Sequence, residues 1–208
     1  MFGRLEAMSE RSDEDAELML RVKRGDLEAF EALVAKYQQA VINLIYRTLP
    51  DATEAEDLAQ TVFVQVYKSA HRYEVSAKFT TWLFTIARNL CLNEIRRRSR
   101  HPAESLEASV GTEGEEGARQ YRDVKTYGPE EVALQTELEE KVREAIGGLP
   151  ETQRTALLLC CENELSYEDI SGVIGCSLSA TKSLIHRARE ALKLRLKPYL
   201  KTGVWAGR

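Results

Sequence analysis

Residues 165–198, LSYEDISGVIGCSLSATKSLIHRAREALKLRLKP, contain two helix starts and two helix stops within one short stretch. Ser166, with an aspartate three residues later, is a capping-box pattern that predicts a helix start, and Gly175 is a typical helix stop. Ser177 can cap a second and longer helix, which we expect to end at Pro198 because proline cannot continue it. A short helix, a tight turn and a longer helix follow the helix-turn-helix plan.

The second of these helices has two different faces. Its apolar residues recur at three- and four-residue steps and predict a buried stripe of Thr181, Leu184, Ile185, Ala188 and Leu192. The opposite side offers short hydrogen-bond donors and cations, namely Ser179, Lys182, Ser183, His186, Arg187 and Arg189. Residues 178–201 hold seven cations and one acid, whereas the whole chain has a net charge of −4. This excess favours contact with duplex DNA, where Arg and Lys read guanine edges, over an ordinary solvated face.

The composition of the 208-residue chain is that of a globular protein, with 43% hydrophobic and 30% charged residues. The longest apolar run, 156–161, is far too short to cross a bilayer, so we expect a cytoplasmic protein without membrane insertion of its own. The four cysteines form no C-x-x-C pair and the three histidines lie far apart, which predicts no metal and no cofactor. Motifs such as the P-loop and G-x-S-x-G are missing from the sequence, so we expect neither enzymatic activity nor a small-molecule substrate.

Four amphipathic helices are predicted in the N-terminal half, with starts near residues 12, 26, 53 and 78. The third should bury Leu58, Val62 and Val66. Its polar side also includes Val64, and either ordinary solvation or a protein interface explains that pattern.

The fourth helix begins a second basic element, because residues 78–100 hold six cations and one acid. Amide groups can bond the edges of unpaired bases and aromatic rings can stack on their faces, so this element is a candidate for single-stranded nucleic acid. The aromatic, amide and cationic candidates are Tyr73, Lys78, Phe79, Arg88, Asn89, Asn93, Arg96 and Arg97.

Residues 102–128 separate the two basic elements. They are rich in glycine and glutamate, carry six acids against three cations and have no apolar period, which predicts a flexible acidic linker. No alternating strand pattern appears in the sequence. We therefore predict an all-α protein of two small helical domains, 12–101 and 129–198, with an N-terminal extension at 1–11 and a tail at 199–208.

The two halves together resemble the extracytoplasmic-function (group 4) sigma factors of bacterial RNA polymerase. DLEAFEALVAKY, DATEAEDLAQTVFVQVYKSAHRY and FTTWLFTIARNLCLNEIRRR resemble the family's region 2. LPETQRTALLLCCENELSYEDISGVIGCSLSATKSLIHRAREAL resembles region 4. Because two motifs occur in the right order at the right separation, the resemblance is more specific than either motif alone.

The resemblance implies promoter recognition, strand opening and three sets of contacts. The β′ clamp helices of core RNA polymerase would dock on Asp57, Gln60, Phe63, Val64 and Tyr67, and the β flap is a further implied contact. The non-template strand of the −10 element would lie on the loop 73–79 and on the candidates of the fourth helix. The helix-turn-helix would read the duplex −35 element through Lys182, Ser183, His186 and Arg187.

Two further possibilities concern partners and class. Many members of the family are held by an anti-sigma factor, so such a partner is a possibility for this chain. An autonomous helix-turn-helix regulator is the alternative interpretation, and it would need a sensor fold and a dimerising surface. The N-terminal half instead offers a second basic helix, which favours the sigma-factor interpretation.

Overall fold

A computed structural model describes residues 14–49, 52–100, 129–161, 165–203 and 205, and over these residues the chain is helical with no strand. The helices in chain order are α1 (14–23), α2 (Leu27–Thr48), α3 (Ala52–Ser69), a short 3-10 turn (Ala70–Arg72), α4 (Phe79–Arg100), α5 (Pro129–Gly147), α6 (Glu151–Cys161), α7 (Tyr167–Ile174) and α8 (Leu178–Thr202). The all-α prediction is confirmed. The predicted N-terminal extension, 1–11, and the predicted linker, 102–128, lie outside the described residues.

The predicted helix ends depend on specific caps. The side chain of Ser166 accepts a hydrogen bond from the backbone N–H of Asp169, and the Asp169 carboxylate accepts one from the N–H of Ser166, so the capping box is complete. Gly175 ends α7 in the left-handed conformation at φ 76°, a conformation that favours glycine. Ser177 then caps α8 by accepting from the N–H of Ala180. Local side chains thus set the tight turn between α7 and α8.

The predicted stop at Pro198 is wrong, because α8 continues through this proline to Thr202 and ends at Gly203, with φ 67°. A proline inside a helix removes one backbone hydrogen bond, here the one to the carbonyl of Leu194. This turn faces solvent, since Leu194 is 71% exposed, and water can bond the freed carbonyl. The last turn is also held by Trp205, whose ring meets Tyr199 edge to face at 6.0 Å.

The core extends through both halves of the chain as one cluster of buried apolar side chains. In the first half, α2, α3 and α4 pack on one another around fully buried Leu33, Val62 and Leu83. In the second half, the stripe of α8 packs on α6, with Thr181, Ile185 and Ala188 almost completely buried as predicted.

The two halves also pack against each other. Helix α4 contacts α7, and α2 contacts both α5 and α6. Arg154 of α6 donates from Nη1 to the carbonyl of Thr48 at 3.0 Å, and the Arg143 guanidinium lies 5.5 Å from the centre of the Tyr46 ring. The two helical halves therefore form a closed arrangement. Among the described residues, no helix has the length and apolar character needed to span a membrane.

Candidate nucleic-acid interface

The N-terminal half of α8 presents the basic face that the sequence predicts. Because Thr181, Ile185 and Ala188 point into the core, the residues on the other side of the helix are turned to solvent. All six candidates of this recognition face are exposed: Ser179, Lys182, Ser183, His186, Arg187 and Arg189.

Helix packing and local hydrogen bonds position this face. The hydroxyl of Ser183 donates to the carbonyl of Ser179 one turn earlier, at 3.0 Å. Arg189 lies at the edge of the face, where its Nη2 donates to the Sγ of Cys160 on α6, at 3.5 Å. An α-helix with exposed cations and short donors at its N-terminal end has the form that enters a major groove.

A second basic surface runs along the C-terminal half of α4. Asn89, Asn93, Arg96 and Arg97 are all exposed, and Arg96, Arg97 and Asn93 line one shallow depression together with Arg100. Within it, Arg97 forms a two-point ion pair with Glu94 at 2.9 and 2.8 Å. The surface combines amides with several cations, as single-strand binding requires.

The two aromatic candidates before this surface are buried, so the structure differs from the sequence-based picture. Tyr73 is 2% exposed and Phe79 is 1% exposed, and both rings pack against Trp82, at 5.3 and 6.2 Å between ring centres. Burying a large aromatic ring stabilises the fold by about 1.5–3 kcal/mol. The sequence pattern of one helix does not reveal this burial, because it depends on packing between elements. In this conformation neither ring is presented to a base, and half-buried Trp82 lies nearest the surface.

Side chains of α1 hold the loop that carries Tyr73 in place. Lys23 donates from Nζ to the carbonyl of Tyr73, at 2.9 Å. Asp15, which is 3% exposed, accepts from Lys36 and Tyr37 beneath the same loop. Burial raises the pKa of the Tyr73 hydroxyl, and the charge of Asp15 raises it further. Burial and the nearby carboxylate thus both disfavour the charged form of this hydroxyl.

Two cationic candidates, Lys78 and Arg88, are paired with acids of the C-terminal half. Lys78 Nζ lies 2.8 Å from Asp169 Oδ2, and Arg88 Nε lies 3.5 Å from Glu151 Oε1. Burial alone would raise the pKa of the Asp169 carboxyl, but hydrogen bonds from Lys78 and Ser166 outweigh it and hold the pKa below its ordinary value. The closed arrangement thus covers one end of the second basic surface.

The candidate polymerase surface on α3 is exposed, with one exception. Asp57 and Gln60 face solvent, Val64 is 50% exposed, and Tyr67 is 42% exposed while its ring tilts against Phe30. Phe63 is the exception. It is only 7% exposed and belongs to the core, because its position on the helix is next to the buried Val62 stripe.

Sequence reasoning missed the residues that join the two halves. Arg154 donates to three carbonyls, those of Thr48, Gly147 and Leu149, although its neighbours in sequence are mostly polar, as on an ordinary solvated helix start. A local sequence pattern cannot predict these hydrogen bonds, because the carbonyls that Arg154 contacts lie outside its own helix. In the part of the chain that the structure describes, no group of three or more His, Cys, Asp or Glu side chains could hold a metal ion.

These features define a protein that binds nucleic acid through two helical modules, one with a helix-turn-helix and one with a basic, amide-bearing helix. The sequence matches the family Sigma-70 region 2 over residues 33–101 and Sigma-70, region 4 over residues 139–192. It is 40% identical to the RNA polymerase sigma-H factor of Pseudomonas aeruginosa, over 91% of this chain and 97% of that protein. It is 35% identical to the ECF RNA polymerase sigma factor SigW of Bacillus subtilis, over 85% and 94%.

The chain therefore belongs to the extracytoplasmic-function RNA polymerase sigma factors of the sigma-70 family. Such a factor binds core RNA polymerase and directs it to promoter DNA. Among solved structures, the fold is similar to that of CnrH in complex with the cytosolic domain of CnrY, with a TM-score of 0.66 and 22% identity over 89% of this chain and 99% of that one. It is also similar to the sigma factor RpoE in complex with the anti-sigma factor NepR from Bartonella quintana, with a TM-score of 0.61 and 25% identity over 81% and 96%.

Proposed function

We propose that this sigma factor reads the duplex −35 element with the recognition face of α8 and holds the opened −10 strand on α4. The observation that carries this proposal is the recognition face itself, whose six polar and cationic residues are exposed opposite a buried apolar stripe. Lys182, Ser183, His186 and Arg187 contact bases, whereas Arg189 contacts phosphate at the edge of the groove. Base contacts specify a sequence and phosphate contacts position the protein on it.

On the single strand, the exposed amides of Asn89 and Asn93 bond base edges and the neighbouring arginines bind the backbone. Arg88 and Lys78 join them once their ion pairs with the C-terminal half have opened. Because Tyr73 and Phe79 are core residues here, their role in this proposal is to shape the loop. Trp82 lies at the edge of the same aromatic cluster, and in this proposal its ring stacks on a base.

Core polymerase docks through its β′ clamp helices on Asp57, Gln60, Val64 and Tyr67, with Phe63 supporting this face from the core. Aromatic side chains such as that of Tyr67 are enriched at protein interfaces, and exposed Val64 adds apolar area on the same helix. The β flap binds the C-terminal half. We place the functional modules at 12–101 and 129–202, which extends the second to the observed end of α8.

The protein acts by binding, without enzymatic activity of its own, in the cytoplasm where the polymerase transcribes. An anti-sigma factor is a further proposed partner. The fold of this chain is similar to that of RpoE, which was solved with the anti-sigma factor NepR. Such a partner would cover the exposed apolar side chains of the polymerase surface, among them Val64 and Tyr67.

The test is run-off transcription by core polymerase reconstituted with this chain on genomic fragments, which returns function and promoter sequence together. A folded variant with both Asp57→Ala and Gln60→Ala should bind core polymerase poorly, because truncating an anchor residue at the centre of an interface costs at least about 2 kcal/mol. The matched control replaces an exposed acid and an exposed amide elsewhere, Glu140→Ala with Gln38→Ala, and should bind normally. Unchanged capture of the first variant would remove α3 from the interface. A DNA-bound dimer that forms without polymerase would favour an autonomous regulator.

A further inference from the structure

Two cysteines end helix α6 beside the recognition face. Cys160 and Cys161 are the last two residues of this helix, which packs against α8. Cys160 is half-buried, whereas Cys161 is exposed. Arg189 of α8 donates from Nη2 to the Cys160 sulfur at 3.5 Å, and its guanidinium also hydrogen-bonds the Cys161 thiol. The packing thus brings two thiols into contact with one cation of the recognition face.

The two thiols position Arg189 without cancelling its charge. A thiol sulfur is a weak hydrogen-bond acceptor, whereas carboxylate and phosphate oxygens are strong ones. The charge of the guanidinium therefore remains available to the phosphate contact that we assign to Arg189. A group that placed a strong anionic acceptor on either cysteine would compete with DNA for this cation.

The two cysteines differ in their reactivity. Burial raises the pKa of the Cys160 thiol, the neighbouring Cys161 sulfur raises it further, and Arg189 offsets this only in part. Because the thiolate is the reactive form, such a cysteine is a poor nucleophile. Cys161 is exposed and lies beside a cation, which is the environment in which reactive cysteines are found. Cys161 is therefore the nucleophile of the pair.

We propose that Cys161 is a site of reversible S-thiolation by an anionic low-molecular-weight disulfide, and that the attached group withdraws Arg189 from the DNA backbone. The Cys161 thiolate attacks one sulfur of the disulfide, so that one S–S bond forms as another breaks. The second thiol leaves as a thiolate and takes up the proton that Cys161 lost, so no other oxidant is needed. The proposal rests on the proposed function, because it regulates a DNA contact of the recognition face.

Backbone geometry favours this mixed disulfide over a bond between the two neighbouring cysteines. Adjacent Cα atoms lie about 3.8 Å apart across a trans peptide, whereas disulfide-bonded residues usually have Cα atoms about 4.4–6.8 Å apart. A bond between Cys160 and Cys161 would therefore strain the last turn of α6, and strained disulfides are easily reduced. The stable oxidised product is the adduct on Cys161.

Glutathione is a suitable probe for the effect of such an adduct on Arg189. An attached glutathione carries two carboxylates and one ammonium group, and hence a net negative charge. Because it is tethered beside Arg189, its carboxylates reach an effective concentration on the order of millimolar and form charge-assisted hydrogen bonds with the guanidinium. The loss of one charge-assisted hydrogen bond to a phosphate should lower the affinity for DNA about tenfold.

The test treats the full chain with glutathione disulfide, removes the free reagent and locates the adducts by peptide mapping. We expect Cys161 to be modified before Cys160, Cys176 and Cys91. Promoter-dependent run-off transcription with core polymerase should then fall about tenfold, and dithiothreitol should restore it. Cys161→Ser should transcribe normally and should not respond to the disulfide. Equal modification of these four cysteines, or full activity of the chain modified at Cys161, would overturn the proposal.

Two controls separate the effect on Arg189 from a general effect of the adduct. Cys161→Ser with Gln38→Cys carries the same glutathione at an exposed position on α2, and its transcription should not change. Hydroxyethyl disulfide attaches a small neutral group to Cys161 and should leave transcription nearly unchanged, because it brings no anion to Arg189. An equal loss with both reagents, or a loss from the adduct on α2, would contradict the competition for Arg189.

The same measurements distinguish this proposal from the proposed function. If the reduced wild type does not direct transcription, the proposed function fails, while the peptide map still decides whether Cys161 is the reactive site. If the reduced wild type is active and the adduct on Cys161 changes nothing, only the regulatory role of this cysteine is wrong.

Discussion

Replacing Arg154 with methionine should loosen both region 4 and its contact with region 2. The Arg154 side chain donates to the carbonyls of Gly147 and Leu149, at 3.0 and 3.1 Å, and to that of Thr48 across the interface, at 3.0 Å. A hydrogen bond to a charged group contributes about 1.5–3 kcal/mol when buried. Arg154 is half-buried, so water replaces part of the lost hydrogen bonding. We therefore expect the substitution to lower the free energy of unfolding by about 2–4 kcal/mol in total.

Urea unfolding followed by circular dichroism measures this effect. With a slope near about 2 kcal/mol per molar urea, the expected loss lowers the midpoint by about 1–2 M. Arg154→Lys should give an intermediate loss, since lysine keeps the charge but not the planar fork that reaches three carbonyls. Arg187→Met, at an exposed position, should change stability by no more than about 0.5 kcal/mol. A midpoint for Arg154→Met equal to that of Arg187→Met would refute the assigned role.

The recognition face predicts that Arg187→Ala reduces the free energy of discrimination at one −35 base pair by about 1–3 kcal/mol and relaxes base preference there. If the variant bound all upstream sequences more weakly by the same factor, Arg187 would not read a base. Asn89→Ala and Asn93→Ala should impair strand opening more than closed-complex formation, so permanganate footprints identical to the wild type would count against both. Burial, with a smaller contribution from Glu151, raises the pKa of the Cys91 thiol to about 12, so this cysteine should resist thiol reagents at pH 8, whereas exposed Cys161 should react at once. Labelling of Cys91 in the folded chain, followed by mass spectrometry, would show that its burial is wrong.

Local chemistry explains why the sequence was sufficient for most of the helices and for the recognition face. Capping by Ser166 and Ser177 and the left-handed turn at Gly175 involve residues within a few positions of one another. The buried stripe of α8 follows from helical period alone, and it determines which side of the helix is exposed. Such signals are short-range, so they can be recognised before any packing is known.

The sequence was less informative wherever the outcome depended on contacts between distant residues. Tyr73 and Phe79 have the chemistry to stack on bases, but the neighbouring Trp82 completes an aromatic cluster that buries them. At Pro198 the local rule predicted a helix end, whereas an exposed turn lets α8 continue to Thr202.

By itself, the sequence determined an all-α chain with two basic modules and a recognition helix with a defined outer face. Only the tertiary structure decided that the modules close on each other and that Lys78 is already paired with Asp169, 91 residues further along the chain. The physical reason is that helical period and capping are properties of neighbouring residues. Burial and ion pairing between modules depend on which surfaces the folded chain brings together.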